Sequence, residues 1–90
     1  MEQKNEQQNK SAEAEIVLAP LLPKAIDEFI GANLKRMFGA EVVDMFVAGR
    51  KRIPGVDIRI HNQPQDKATR VTVIFMFHDK EIDRKIFFAI

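Results

Sequence analysis

The stretch that most constrains this chain is its last twenty-odd residues, where two extended runs flank a candidate two-residue turn. Residues 69–78 read TRVTVIFMFH, Asp79-Lys80 follow, and residues 81–90 read EIDRKIFFAI. β-Branched and aromatic residues dominate both runs, and such residues suit a pleated, half-buried surface. A turn at Asp79-Lys80 departs from the preferred Asn-Gly or Asp-Gly, but it sets the pairing by arithmetic. His78 then opposes Glu81, Phe77 opposes Ile82, Phe75 opposes Arg84, Val73 opposes Ile86 and Val71 opposes Phe88. Opposed residues share a face. Val71, Val73, Phe75, Phe77, Ile82, Ile86 and Phe88 therefore form a core face that only Arg84 interrupts. A slip of one residue would scatter that set, so the hydrophobic pattern specifies the register.

Upstream, Val56, Ile58 and Ile60 alternate with Asp57, Arg59 and His61, the period-two signature of a strand with one wet face. Placing Ile60 opposite Val71 and Ile58 opposite Val73 adds these aliphatics to the same core face. The other face then carries Ile74, Met76, Phe87 and Ala89, with Arg59, Arg70 and Lys85 around them. An apolar centre inside a charged rim is the composition of a binding surface rather than of an ordinary solvated face.

The N-terminal part reads as helical. Pro23 suits a first helical position. Ile26, Phe29, Ile30, Leu34 and Met37 follow at helical spacing, Lys35 and Arg36 favour the end of the macrodipole, and Gly39 is a natural stop. The spacing predicts a helix over 23–38. Ser11 caps a shorter predicted helix that runs to Ala19 and is ended by Pro20. Residues 40–48, AEVVDMFVA, fit a helix through Val42, Met45 and Phe46 or a strand through Val43, Met45 and Val47, and the helix is preferred. Arg50-Lys51-Arg52 and Ile53-Pro54-Gly55 make a basic loop ending in a turn. The expected fold is α+β, with N-terminal helices packed on one face of a three-stranded antiparallel β-meander. The expected organisation is a disordered polar tail over 1–10 and one small domain over 11–90.

Composition narrows the chemistry. There is no cysteine, which removes disulfides, thiolate metal sites and sulfur redox chemistry. A 90-residue domain without such staples has a small core, and oligomerisation is the remaining help. The net charge is +1, made of −2 over residues 1–15 (four acids, two bases) and +3 over the rest (nine acids, twelve bases). No run approaches a membrane span, and MEQKNEQQNK has neither the apolar stretch of a secretory signal nor an Arg-rich transit composition, so a cytoplasmic location is expected.

Catalytic signatures are absent from the sequence. It has no Gly-rich phosphate loop, no GxSxG and no HExxH, and its one serine, Ser11, precedes the predicted core. His61 and His78 lie far apart in the expected sheet, so they share no reaction centre or metal. His78-Asp79 with Glu81 and Asp83 reads as a solvated acidic turn rather than a cation site. No cofactor, metal or small-molecule substrate is expected, and the chain reads as non-enzymatic.

The expected function is a protein-interaction or regulatory module that self-associates. Its surface is the outer face, with Ile74, Met76, Phe87, Ala89, Arg59 and Lys85, or the C-terminal strand, KIFFAI, as an open sheet edge. The bland counter-reading makes residues 11–22 a lid over that face. A second reading is a nucleic-acid-binding accessory protein, in which Arg50, Lys51, Arg52, Arg59, Arg70 and Lys85 meet phosphates and Phe87 stacks a base. A third is a structural component of a larger assembly.

Overall fold

In the computed structural model, the described residues are 14–41 and 53–90. They form a mixed four-stranded sheet with one long helix against it. In chain order the elements are β1 (Ala14–Val17), a 3₁₀ turn (Ala19–Leu21), α1 (Leu22–Phe38), β2 (Val56–Pro64), β3 (Thr69–Phe77) and β4 (Lys80–Ala89). The spatial order is β1-β4-β3-β2. The expected α+β class and the antiparallel β2-β3-β4 meander are present, and a parallel strand is added to them.

That parallel strand corrects the reading of the N-terminal segment. A helix from Ser11 to Ala19 was expected, but Ala14–Val17 is extended and pairs with Ile86–Ala89 of β4. Ala and Glu favour helix, but local propensity is a weak determinant, and main-chain bonding to an otherwise open strand outweighs it. Residues 14–17 therefore close the β4 edge instead of lying over the outer face. Pro20 falls in the 3₁₀ turn, and Pro23 at the start of α1, where a missing N–H costs nothing. Gly39 ends α1 at φ 98° and donates its N–H to the Lys35 carbonyl 2.9 Å away.

Helix α1 buries the predicted stripe. Phe29, Ile30 and Leu34 pack with Val71, Val73, Phe75 and Phe87, and Ile26, Met37 and Phe38 flank them. Each large apolar side chain so buried contributes about 1.5–3 kcal/mol. Asn33 lies in the same stripe, 1% exposed. Its Nδ2 donates to the Phe29 carbonyl at 3.0 Å and its Oδ1 accepts from Arg36, so its polar atoms are satisfied. Arg36 also lies 3.7 Å from Asp83 of β4, tying the helix to the sheet.

The β3–β4 hairpin differs from expectation in two places. The two-residue loop is His78-Asp79, not Asp79-Lys80, and both residues have positive φ (51° and 65°), as a type I′ turn requires. The register then shifts between Phe75 and Met76. Met76 pairs with Glu81 while Phe75 pairs with Asp83, leaving Ile82 as the extra residue of a bulge. Moving the loop alone would have kept the expected faces. The inserted residue exchanges them from Asp83 onward.

Phe87 therefore opposes Val71 on the helix side and is fully buried, whereas Ile86 opposes Thr72 and Phe88 opposes Arg70 on the outer side. Ile82, expected in the core, is 39% exposed. The β2–β3 pairing is offset by two residues, with Ile60 opposite Val73 and Ile58 opposite Phe75, and an even offset keeps each residue on its expected face. The preferred helix over 40–48 lies mostly outside the described residues, and residues 40 and 41 are helical.

Candidate interaction surface

The outer face is built from alternate positions of all four strands. β3 supplies Arg70, Thr72, Ile74 and Met76; β4 supplies Arg84, Ile86 and Phe88; β2 supplies Asp57, Arg59 and His61; β1 supplies Ile16. Among the described residues, the only helix against the sheet is on the opposite face. Of the residues expected here, Ile74, Met76, Arg59 and Arg70 are in place.

Phe87, Ala89 and Lys85 are on the helix side instead, for the reason given by the bulge. Phe87 and Ala89 are buried. The Lys85 ammonium sits 2.8 Å from the Glu15 carboxylate and 5.3 Å from the centroid of the Phe87 ring, which accounts for a cation on an inward-facing position. Phe87 thus has no exposed ring with which to stack a base. Arg50, Lys51 and Arg52 lie outside the described residues.

Solvent access across the outer face is graded. Ile74, Met76 and Ile86 at its centre keep only 8–9% exposure, while Ile16 keeps 70% and Leu18 and Ile90 each keep 56%. Strand alternation carries Ile16 to Leu18 and Phe88 to Ile90 on this same side. The two segments are joined by main-chain bonds, Ile90 N–H to the Val17 carbonyl at 2.9 Å and Ala19 N–H to the Ile90 carbonyl at 2.8 Å. Leu21, 54% exposed, is held to Leu18 by a 2.8 Å bond. Four large aliphatics, each more than half exposed, thus gather at one corner where β1 meets the end of β4. The sequence reading missed this corner because it placed Ile16 and Leu18 on a helix to Ala19 and offered residues 11–22 as one possible cover for the face; the parallel strand instead carries Ile16 outward.

The charged rim is internally paired. Arg84 opposes Ile74 and grips Glu81 through two bonds of 2.9 and 2.7 Å, as the bulge turns both side chains the same way. The Arg84 hydrogen bond holds the Glu81 carboxyl below its usual range, against the opposing effect of burial, and the same bond raises Arg84. Arg59 meets Asp57 at 3.2 Å along β2. Arg70 has its Nε buried without a hydrogen-bond partner among the described residues.

His61 opposes Thr72, whereas His78 stacks on Phe77 at the hairpin turn with ring centroids 4.2 Å apart. The two imidazoles are thus roughly 20 Å apart along the sheet at about 3.3 Å per residue. Among the described residues, no three His, Asp or Glu side chains converge to hold a metal ion, and no helix is long and apolar enough to cross a membrane. Comparison with protein-family models, curated proteins and solved structures finds no match to this chain.

Proposed function

We propose that this chain is a non-enzymatic protein-interaction module that self-associates and docks a protein partner on its outer sheet face. The observation that supports this reading most is the corner formed by Ile16, Leu18, Leu21 and Ile90. Exposed aliphatics scattered singly are ordinary, but a contiguous group rimmed by charge marks a contact surface. Apolar burial at the corner supplies affinity. Across the rest of the outer face, Arg70 two strands from Ile16 and Arg84 and Arg59 further along the sheet supply orientation and partner choice. A chain of this size without disulfides also gains stability from association.

Two measurements test the reading. Sedimentation equilibrium from about 10 to 500 μM reports self-association, with a weight-average mass rising above the 10.3 kDa monomer as the supported outcome. Affinity capture with wild-type protein and with an Ile16→Ser/Leu18→Ser variant reports partner docking. Partners recovered by the first and lost by the second support the corner. An unchanged partner set, together with a monomer throughout the concentration range, refutes the reading.

A further inference from the structure

We infer that the partner in self-association is a second copy of this chain paired through β2 across a two-fold axis at Ile58. This inference rests on the self-associating reading above and names its surface and register. Strand β2 is nine residues long and ends the sheet, with β3 on one side and, among the described residues, no strand on the other. Of the usual protections, the described residues of this edge carry charge, Asp57 and Arg59, but of opposite sign and already paired with each other. Its one proline, Pro64, stands at the far end, and its pairing with β3 runs without a bulge.

The main-chain groups facing outward follow from one hydrogen bond. His78 N–H donates to the Gly55 carbonyl at 2.9 Å, so Gly55 points inward to β3, and by alternation so do Asp57, Arg59 and His61. Val56, Ile58 and Ile60 therefore point their N–H and C=O groups away from the sheet. The Val56 N–H is already taken by the Ile53 carbonyl at 3.0 Å. Among the described residues, the others have no backbone partner.

Charge selects one two-fold register among those that match these groups. With Ile58 opposite Ile58 of the second copy, Asp57 faces Arg59 and Arg59 faces Asp57. On the other side of the sheet, Ile60 faces Val56. Ile58 N–H to Ile58 carbonyl, and Ile60 N–H to Val56 carbonyl, each occur twice by symmetry. None of these needs the Val56 N–H already in use. A shift of one residue in the axis to Arg59 sets two guanidinium groups against each other, and a shift to Asp57 does so with two carboxylates. A shift to Ile60 faces Arg59 with His61 and leaves Ile58 against Asn62. The selected register also covers Ile60, which is 49% exposed although its face is otherwise the core face. The Asp57–Arg59 pair within one strand becomes a four-membered alternating cluster across the axis.

The test is a charge exchange in the full chain, read by sedimentation equilibrium. Asp57→Arg and Arg59→Asp each place like charges opposite one another twice, and each weakens the dimer about tenfold. The double variant Asp57→Arg/Arg59→Asp restores opposite charges and returns to within about twofold of wild type. Both side chains are more than half exposed, so folding is retained, which far-UV circular dichroism checks. Ile58→Cys provides a second readout. The chain has no cysteine of its own, so mild oxidation links two copies at the axis, while Asn62→Cys links poorly. Single variants that dimerise like wild type, or a double variant weaker than both, overturn the β2 register while leaving self-association standing through another surface. A wild-type monomer at all concentrations overturns the self-association reading itself, and this inference with it.

Discussion

Truncation of Phe87 tests the register on which the outer face depends. Its ring is fully buried among Phe29, Ile30, Leu34, Val71, Val73 and Phe75. Phe→Ala at such a site costs about 3–5 kcal/mol, from lost transfer energy and the cavity left behind. Loss of the Lys85 contact at 5.3 Å adds roughly 0.5–1 kcal/mol. A domain of 90 residues has a total stability of about 5–13 kcal/mol. Phe87→Ala therefore removes a large fraction of it and lowers Tm by at least about 12 °C. Phe88, one residue on, is only partly buried and on the outer side, so Phe88→Ala costs about 1–2 kcal/mol. The sequence has no tryptophan or tyrosine, so urea unfolding is followed by far-UV circular dichroism rather than fluorescence. A hairpin without the Ile82 bulge reverses the order of the two variants. Phe88→Ala proving equal to or costlier than Phe87→Ala would refute the register and the outer face built from it.

Three further outcomes follow from local geometry. Gly55 has φ 89°, and an added Cβ would stand 2.7 Å from the His78 ring, so Gly55→Ala should lose about 1–3 kcal/mol in urea unfolding, with His78→Ala recovering only the steric part. Asn33→Ala leaves the Arg36 guanidinium without its Asn33 partner and opens a gap under α1, with an expected loss of about 1–3 kcal/mol by the same assay. Glu81 has its folded pKa lowered, so its contribution is complete above the ordinary carboxylate value of about 4.3 and disappears as pH falls through the lowered folded value. Because the pair is more than a third exposed, the wild-type advantage over Glu81→Gln should be at most about 0.5 kcal/mol near neutral pH. It should vanish in strong acid, and a gap that persists there would contradict the assignment.

The strands and the long helix were legible because their periodicities are unambiguous. Ile26, Phe29, Ile30 and Leu34 can share a face only on a helix, and Val56, Ile58 and Ile60 only on a strand. The face of β4 was not legible, for a specific reason. Its end, Ile86-Phe87-Phe88-Ala89, is apolar at every position, so a one-residue shift costs nothing in the hydrophobic pattern. The discriminating residues are the polar ones before it. In the expected register Arg84 was the single misfit. In the structure Arg84 lies outward against Glu81, and Asp83 and Lys85 turn inward to meet Arg36 on α1 and Glu15 on the parallel strand, the second an element the sequence does not place. The parallel strand was hidden for a related reason. Ala14 and Glu15 favour helix, only Ile16 and Val17 favour strand, and the conformation is set by the open edge of β4, a tertiary cause.

Edge pairing and the exposed corner have a joint consequence that neither has alone. A two-fold axis through an antiparallel strand pair is normal to the sheet, so both outer faces of the dimer look the same way. The order β1-β4-β3-β2 then places the two corners at opposite ends of an eight-stranded sheet. Seven inter-strand spacings of about 4.8 Å give about 34 Å across the sheet, and because Ile16 lies level with Gln63, five residues from the axis, the corners are also offset by about 33 Å along the strands, so they stand roughly 47 Å apart. A partner that is itself two-fold symmetric, or that presents two sites at that spacing, binds both corners, and the second contact is intramolecular. Asp57→Arg leaves each corner untouched but separates the protomers. Affinity for an immobilised, densely coupled partner should therefore fall by a larger factor than affinity for the same partner at single-site density. Equal losses in the two formats would mean that the corners act independently and that dimer formation serves stability alone.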